Sequence, residues 1–373
     1  MTSGNKNLPS YAIISREEAQ YYEELTKKGT YDLGPTELFW RDRQAHLEDH
    51  GYMLRARYHP DWSPSWLGSS RDPAFCEDSI ILHKFNVIDA IRQNDGFLVA
   101  LKTTRNNSGE IAIASFLSSS SLRKDPSNHC IPVLDTLPDP LETNKSLLIM
   151  PYLRPFNDPE FRAIGEVVEF VQQTLEGLSF LHRNYIAHRD CAAANIMMDG
   201  RPLYPHGHHP VRRNYTTDGV FDVVPLSRLD CPVRYYFIDF GISTRFLEGS
   251  STYVLGRQGR DKDVPELSSE VPYDAFKVDI FTLGNLYRTE FYEKYHGLDF
   301  LRPLITSMTQ RAPDKRPTVE EVLGSFQDIC ASLNSVTLRW RLRSRAESPP
   351  ERVLYDTVAV AREGIYHLKR LVA

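Results

Sequence analysis

The spacing of hydrophobic and polar positions changes twice along this chain. From about Asp78 to Pro155, apolar residues fall mainly in short, strand-length runs bounded by turn residues. "NVIDAIRQNDGFLVALK" places two such runs on either side of "NDG", whose residues tolerate the positive φ that a tight hairpin turn needs. "CIPVLDTL" and "SLLIMPYL" predict two further strands. After Pro155 the spacing becomes helical. "EVVEFVQQTLEGLSFLHRN" repeats apolar residues three and four apart over about five turns, and "VDIFTLGNLYRTEF" has the nearly all-apolar face of a buried helix. The pattern predicts an α+β chain, a small β region followed by a larger helical one.

Three segments stand outside this pattern. Residues 1–75 are rich in aromatics and charge. Glu37 to His50 predicts one amphipathic helix, followed by a Pro/Ser/Trp loop, and the aromatics predict an arm packed on the main body. Residues 200–234 are loop-like and rich in Pro, Gly and His. Residues 335–373 carry the basic stretch "RWRLRSR", a Ser-Pro-Pro break and a final helical pattern. There are no internal repeats.

Composition narrows the class. The 373 residues allow two lobes with sizeable cores. The 44 basic and 49 acidic residues leave a net charge of −5, which argues against bulk electrostatic binding to nucleic acid. The five cysteines are scattered and form no C-x-x-C pair, as in a reduced intracellular protein. The start lacks the basic end and apolar core of a signal peptide, and no apolar run approaches the ~18 residues that span a bilayer. The expectation is a soluble protein of cytoplasm or nucleus, with neither nucleic acid nor membrane as partner. The sequence does not give an oligomeric state.

Chemistry enters with a series of short motifs. "VALK" ends the hairpin at Lys102, and "EIAIASFL" begins a helix at Glu110. "HRDCAAAN" follows the long helix and spaces Asp190 and Asn195 five apart. Then come "YYFIDFG" with Asp239, "DVPEL" with Glu266, "VDIFTLG" with Asp279 and "DKRPT" with Arg316. In this order, across roughly residues 78–333, the motifs resemble the eukaryotic protein kinase family. The aromatic arm resembles that of an expanded group of fungal kinase-like proteins.

The resemblance implies a bilobal kinase-like fold: a small antiparallel β-sheet N-lobe with one helix, and a larger, mainly helical C-lobe. Its boundaries would be an N-terminal extension at 1–77, N-lobe at 78–153, C-lobe at 154–334 with an insertion at about 200–234, and a basic tail at 335–373. It implies ATP and Mg²⁺ as cofactors and a protein substrate. Lys102 would hold the α- and β-phosphates, with Glu110 as its carboxylate partner. Asp239 and Asn195 would hold Mg²⁺, which prefers hard oxygen ligands. Asp190 would orient the attacking hydroxyl and accept its proton. Val87, Ala100 and Met197 would sandwich the adenine, Met150 would stand at the gatekeeper position, and the backbone of Pro151 and Leu153 would bond the base. Glu266 and Arg316 would pair and anchor the activation segment, and Asp279 would bond the backbone around His188 and Arg189. Arg189 would pair with a phosphate on Ser250, Ser251, Thr252 or Tyr253.

The chain departs from the family in four places. Aligned without gaps, the glycine-rich loop falls on Ile80, Leu82 and Phe85, so the close backbone approach to phosphate is lost. The cation that follows the catalytic Asp is replaced by Ala192 and Ala194. An absent transition-state charge contact typically costs ~2–4 kcal/mol. Lys262, with Arg257 and Arg260, is the expected substitute. The loop before "VPE" reads "GRQGRDKD" and fixes neither serine/threonine nor tyrosine specificity. The inserted "HGHHP" lacks the Cys partners or second cluster of a metal site. Three functions compete: a slow protein kinase, a pseudokinase scaffold and a small-molecule phosphotransferase. The anchored activation segment argues against the last.

Overall fold

A computed structural model describes residues 8–82 and 85–372, a mixed α+β chain that divides into two compact units. One unit gathers the chain up to Asn107 with Val133–Tyr152 and Arg201–Leu226. The other gathers Ser108–Pro132, Leu153–Gly200 and the chain from Ser227 onward.

The first unit contains α1 (Arg16–Lys27), α2 (Pro35–Arg41), α3 (Gln44–Asp49) and the strands β1 (Tyr52–Met53), β2 (Val87–Arg92), β3 (Phe97–Arg105), β4 (Asp135–Pro138) and β5 (Lys145–Pro151). The strands form an antiparallel sheet in the order β1-β2-β3-β5-β4. The β2–β3 hairpin turns at "NDG", where Gly96 has φ +71°. With side chains alternating between faces, Ile88, Ala90, Val99, Leu101, Leu147 and Ile149 bury one face against Trp40, Leu47 and Tyr58 from the arm. Burial of each Val, Leu or Ile side chain of this set contributes roughly 1.5–3 kcal/mol.

Three local expectations change here. The helix expected over Glu37 to His50 is broken at Asp42 and Arg43. Arg43 turns inward instead, its Nε 2.8 Å from Asp139 and its Nη1 2.8 Å from the carbonyl of Phe39. The strand expected in "CIPVLDTL" joins the sheet only over Asp135–Pro138, while Cys130 forms an isolated bridge with Phe237, and Pro132, lacking an N–H, cannot donate to a ladder. The strand beside β2 is Tyr52–Met53, not the "SIILHKFN" segment on which the glycine-loop alignment fell; His83 and Lys84 of that segment lie outside the described residues.

Residues 54–86 therefore make a long excursion between two adjacent strands. Its described part is held by polar contacts. Arg57, fully buried, donates to both carboxylate oxygens of Glu37 at 2.6 and 3.0 Å and to the carbonyl of Asp78 at 3.0 Å. Asp78 in turn accepts from Trp62 at 2.9 Å and from the backbone of Ser65 at 2.8 Å. The segment Arg201–Leu226 joins this unit too. Tyr152 donates to the carbonyl of Pro210 at 2.7 Å, and His209 lies 3.2 Å from Glu77.

The second unit contains α4 (Gly109–Leu117), β6 (Arg154–Pro155), α5 (Ile164–Arg183), β7 (Ile186–Ala187), β8 (Ile196–Met198), β9 (Tyr235–Phe237), β10 (Thr244–Arg245), β11 (Tyr253–Gly256) and β12 (Ser268–Asp274). They are followed by α6 (Ala275–Tyr287), β13 (Tyr295–His296), α7 (Arg302–Met308), α8 (Val319–Ser332), α9 (Ser335–Arg339), β14 (Arg343–Ser344) and α10 (Pro349–Val372). α5 is the central post. Its Phe170 ring stacks on Phe156 at 4.7 Å and meets Tyr235 edge-on at 4.9 Å. α4 is fixed by Arg245, whose guanidinium lies 3.4 Å from the centre of the Phe116 ring. Beyond residue 335 the chain folds back on the start of α5, where Ile164 N–H donates to the carbonyl of Trp340 at 3.0 Å and Leu342 N–H to that of Arg162 at 2.7 Å. Among the described residues no helix is long and apolar enough to cross a membrane.

Candidate functional site

The loop His188–Asn195 joins β7 to β8 and is braced from below by α6. Asp279, completely buried on α6, accepts the backbone N–H of His188 at 2.8 Å and that of Arg189 at 2.6 Å. Its Oδ2 also lies 3.0 Å from His182. A carboxylate with several donors satisfies the cost of its own burial, and here it fixes a strained turn. Arg189 has φ +66° and Asp239 has φ +65°, conformations that cost of order 1–3 kcal/mol in residues with a Cβ and are held only where surrounding contacts over-determine them. The His188 ring is buried, with Nδ1 3.3 Å from the backbone N–H of Asp190 and Nε2 3.1 Å from the carbonyl of Ile238. Burial lowers its basicity, in keeping with a neutral ring that accepts at Nδ1 and donates from Nε2.

Asp190 faces Asn195. The amide Nδ2 of Asn195 donates to Oδ2 of Asp190 at 2.7 Å and to the Asp190 carbonyl at 3.0 Å. Both partners are acceptors, so the nitrogen must occupy that position and the amide oxygen is left for another ligand. The other carboxylate oxygen, Oδ1, accepts the backbone N–H of Arg260 at 2.7 Å, while Arg260 Nε stands 3.6 Å from Oδ2. This contact depends on Gly259, at φ +99°. A Cβ there would stand 3.0 Å from the carbonyl oxygen of Arg189.

Lys262, the expected substitute cation, is directed elsewhere. Its Nζ donates to the carbonyls of Arg257 and Gly259 at 3.0 and 2.6 Å. It caps its own loop, since three donors on a flexible stem find backbone acceptors close by. Arg189 is also committed. Its guanidinium donates to the carbonyls of Ile242 and Leu255 at 3.3 and 3.1 Å and to Gln258 at 3.2 Å. The segment is thus ordered around Arg189 by neutral acceptors. The segment's far end is anchored by Arg316, buried completely, which donates to Oε2 of Glu266 at 2.9 Å and to the carbonyl of Lys277 at 2.8 Å.

Gly241 lies between two further acids of the same unit. A Cβ built on it would meet Oδ1 of Asp239 at 3.3 Å and Oε2 of Glu110 at 3.8 Å. Met197, on β8, pairs with Tyr236 and Pro155, and Leu153 is buried. The second unit therefore brings together Asp190, Asn195 and Arg260, and separately sets Asp239 and Glu110 around Gly241.

The remaining candidates lie in the first unit. Val87 is paired with Lys102 and Ala100 with Met150, so these four share the sheet face opposite the apolar core. Pro151 pairs with Val99 and falls on the core face. Asp89 is the cross-strand partner of Ala100, so it shares the face of Lys102. It is buried, its pKa raised by that burial, and Arg55 Nε stands 3.3 Å away. Arg55 continues to Glu77 at 3.3 Å, and Glu77 to His209 at 3.2 Å. His209 Nδ1 accepts two backbone N–H groups, from Val211 and Arg212, at 3.1 and 3.0 Å. This histidine is a pin for the inserted segment, and among the described residues no group of three or more His, Cys, Asp and Glu is placed to hold a metal by itself.

Sequence reasoning missed the Asp89–Arg55–Glu77–His209 chain. Asp89 alternates with the core-facing Ile88 and Ala90 in "VIDAIR", so it reads as an ordinary outward charge and nothing in the pattern marks it. Lys262 is preferred from sequence as a compact point charge, whereas the contact that fixes Arg260 uses a backbone N–H, which every non-proline residue has and no pattern marks. No known protein family model matches the chain, so the reading of this site rests on its own geometry.

Proposed function

We propose that the chain is an ATP- and Mg²⁺-dependent protein kinase with a bilobal kinase-like fold, transferring the γ-phosphoryl group to a protein hydroxyl. The observation that carries this reading is the Asp190 carboxylate held by the Asn195 amide, in a strained loop braced by Asp279. Phosphoryl transfer needs positioning and charge neutralisation more than covalent chemistry. Asp190 is the acceptor for the hydroxyl proton. Asn195 Oδ1 and the Asp239 carboxylate are the hard oxygen donors, and Mg²⁺ commonly takes one or two protein ligands with water and phosphate completing its shell. Mg²⁺ bound there would neutralise the phosphate oxygens. Lys102 is the candidate for the α- and β-phosphates and Glu110 for its partner. Val87, Ala100, Met150 and Met197, with the backbone of Pro151 and Leu153, are the candidate nucleotide contacts.

A second reading, a pseudokinase scaffold, is favoured by the excursion at 54–86. Where the family has a glycine hairpin over the phosphates, this chain has a folded arm whose Arg55 engages Asp89 on the Lys102 face of the sheet. The two readings differ in turnover, since a scaffold can bind nucleotide or stand empty. A ligand at ~100 times its Kd raises stability by ~2.7 kcal/mol. Millimolar ATP with Mg²⁺ should raise the melting temperature, Asp239→Asn should lose that shift, and labelled phosphate should pass from γ-labelled ATP to protein acceptors. Absence of transfer would leave the scaffold, nucleotide-binding if the shift persists and empty if it does not.

A further inference from the structure

We infer that Arg260 is the catalytic cation of this site, reaching the transferring phosphoryl group from the activation segment in place of the positive charge that Ala192 and Ala194 omit. The inference rests on the phosphotransferase reading and names how that same site neutralises charge. Three features of the segment carry it.

The first is position. The Arg260 backbone N–H is bonded to Asp190 Oδ1 at 2.7 Å, while its Nε stands 3.6 Å from Oδ2, the oxygen that also accepts from Asn195. The guanidinium therefore approaches the Asn195 side of the carboxylate, where the free amide oxygen of Asn195 would face a metal–phosphate group. The second is freedom. The Arg260 side chain is 60% exposed, and its contact with Asp190 is longer than a good charge-assisted hydrogen bond, so the fork can turn toward a phosphate without breaking a buried pair. The third is the mounting. Lys262 ties the carbonyls of Arg257 and Gly259, Asn285 donates to Asp261 at 2.7 Å, and Arg288 pairs with Asp263 at 3.2 Å. Gly259 supplies the φ that no side chain adopts readily. A loop fixed on both sides of one exposed arginine positions that arginine.

The chemistry balances with what the site holds. The substrate hydroxyl oxygen bonds to the γ-phosphorus as the bond from that phosphorus to the β–γ bridging oxygen breaks, and the electron pair leaves with ADP. The hydroxyl proton passes to Asp190. Each oxygen of that carboxylate has a second lone pair beyond the bond it already accepts. The Arg260 N–H and the Asn195 amide thus orient the base without filling it. The guanidinium faces the charge that spreads over the equatorial phosphoryl oxygens.

Steady-state kinetics on the full chain test this, with Asp190→Asn as the reference for loss of transfer. Arg260→Ala should lower kcat by about 10²-fold with KM for ATP within about threefold, as for a contact made mainly in the transition state. Arg260→Lys should recover part of the loss, and Ala192→Lys placed in the Arg260→Ala chain should do so from the catalytic loop. Lys262→Ala, which loosens the mounting only, should cost less than Arg260→Ala. Parental or faster turnover by Arg260→Ala, in a parent whose activity Asp190→Asn abolishes, overturns the proposal and leaves the kinase reading standing. A folded parent that transfers no phosphate overturns both.

Discussion

His129 is one group that ties the stability of the fold to acid. Its Nδ1 lies 2.8 Å from the carbonyl of Tyr235, and its Cβ lies 2.6 Å from where a Cβ on Gly177 would stand. Burial, with the nearby charge of Arg234, pushes its pKa down to about 4. The His188 pKa is lowered by burial as well. Between pH 6.5 and 4 the unfolded chain binds a proton at His129 that the folded chain refuses. Stability is therefore fully present above about pH 6.5 and is lost as pH falls toward 4, by up to about 1.4 kcal/mol per pH unit for one such site. Urea midpoints measured at pH 7.5 and pH 5 should show the loss, and His129→Gln should flatten it. A slope unchanged by that substitution assigns the acid response to other groups. Cys191 is silent in this range, because burial and the neighbouring Asp279 push its thiol pKa well up.

At the level of elements, the segment from Asp239 to Glu266 is tied down at its far end. The anchor is Arg316, which loses its carboxylate partner in Glu266→Ala but keeps the carbonyls of Lys277 and Gln310. Removing one partner of a buried pair costs about 3–5 kcal/mol when the other is left bare; with two carbonyls retained, a loss of about 2–3 kcal/mol is expected in thermal or urea unfolding. Glu266→Gln, which can still accept a hydrogen bond, should recover part of it.

These elements also show what the sequence makes legible. α5 and α6 are readable because their apolar spacing persists over several turns, and β2 and β3 because "NDG" fixes their register. β1 has only two residues and no alternation to read, and the partner it meets lies beyond a long excursion. The break between α2 and α3 depends on Arg43 finding Asp139, which is distant in sequence. In the site, the spacing of Asp190 and Asn195 is local and readable, whereas the approach of Arg260 is a tertiary contact.

For the whole molecule, the notable feature is how the chain is shared between the two units. The first unit is completed by Arg201–Leu226, which enters after much of the second has already been laid down in sequence. His209 joins that segment to the arm through Glu77, and its ring also satisfies two backbone donors. His209→Ala should cost about 1–3 kcal/mol, the range for leaving buried polar groups unpaired. Hydrogen exchange should quicken over residues 204–223, while the amides of α5 stay protected. Exchange that quickens equally in α5 would mean that the two parts unfold together. The interleaving has a consequence for biosynthesis. When Tyr152 leaves the ribosome the strands of the sheet are all present, yet Glu77 still waits for a histidine that has not been translated. At about 5–20 residues per second the missing segment arrives on the order of several seconds later. Throughout that interval Glu77 and Tyr152 lack the partners that the finished unit gives them.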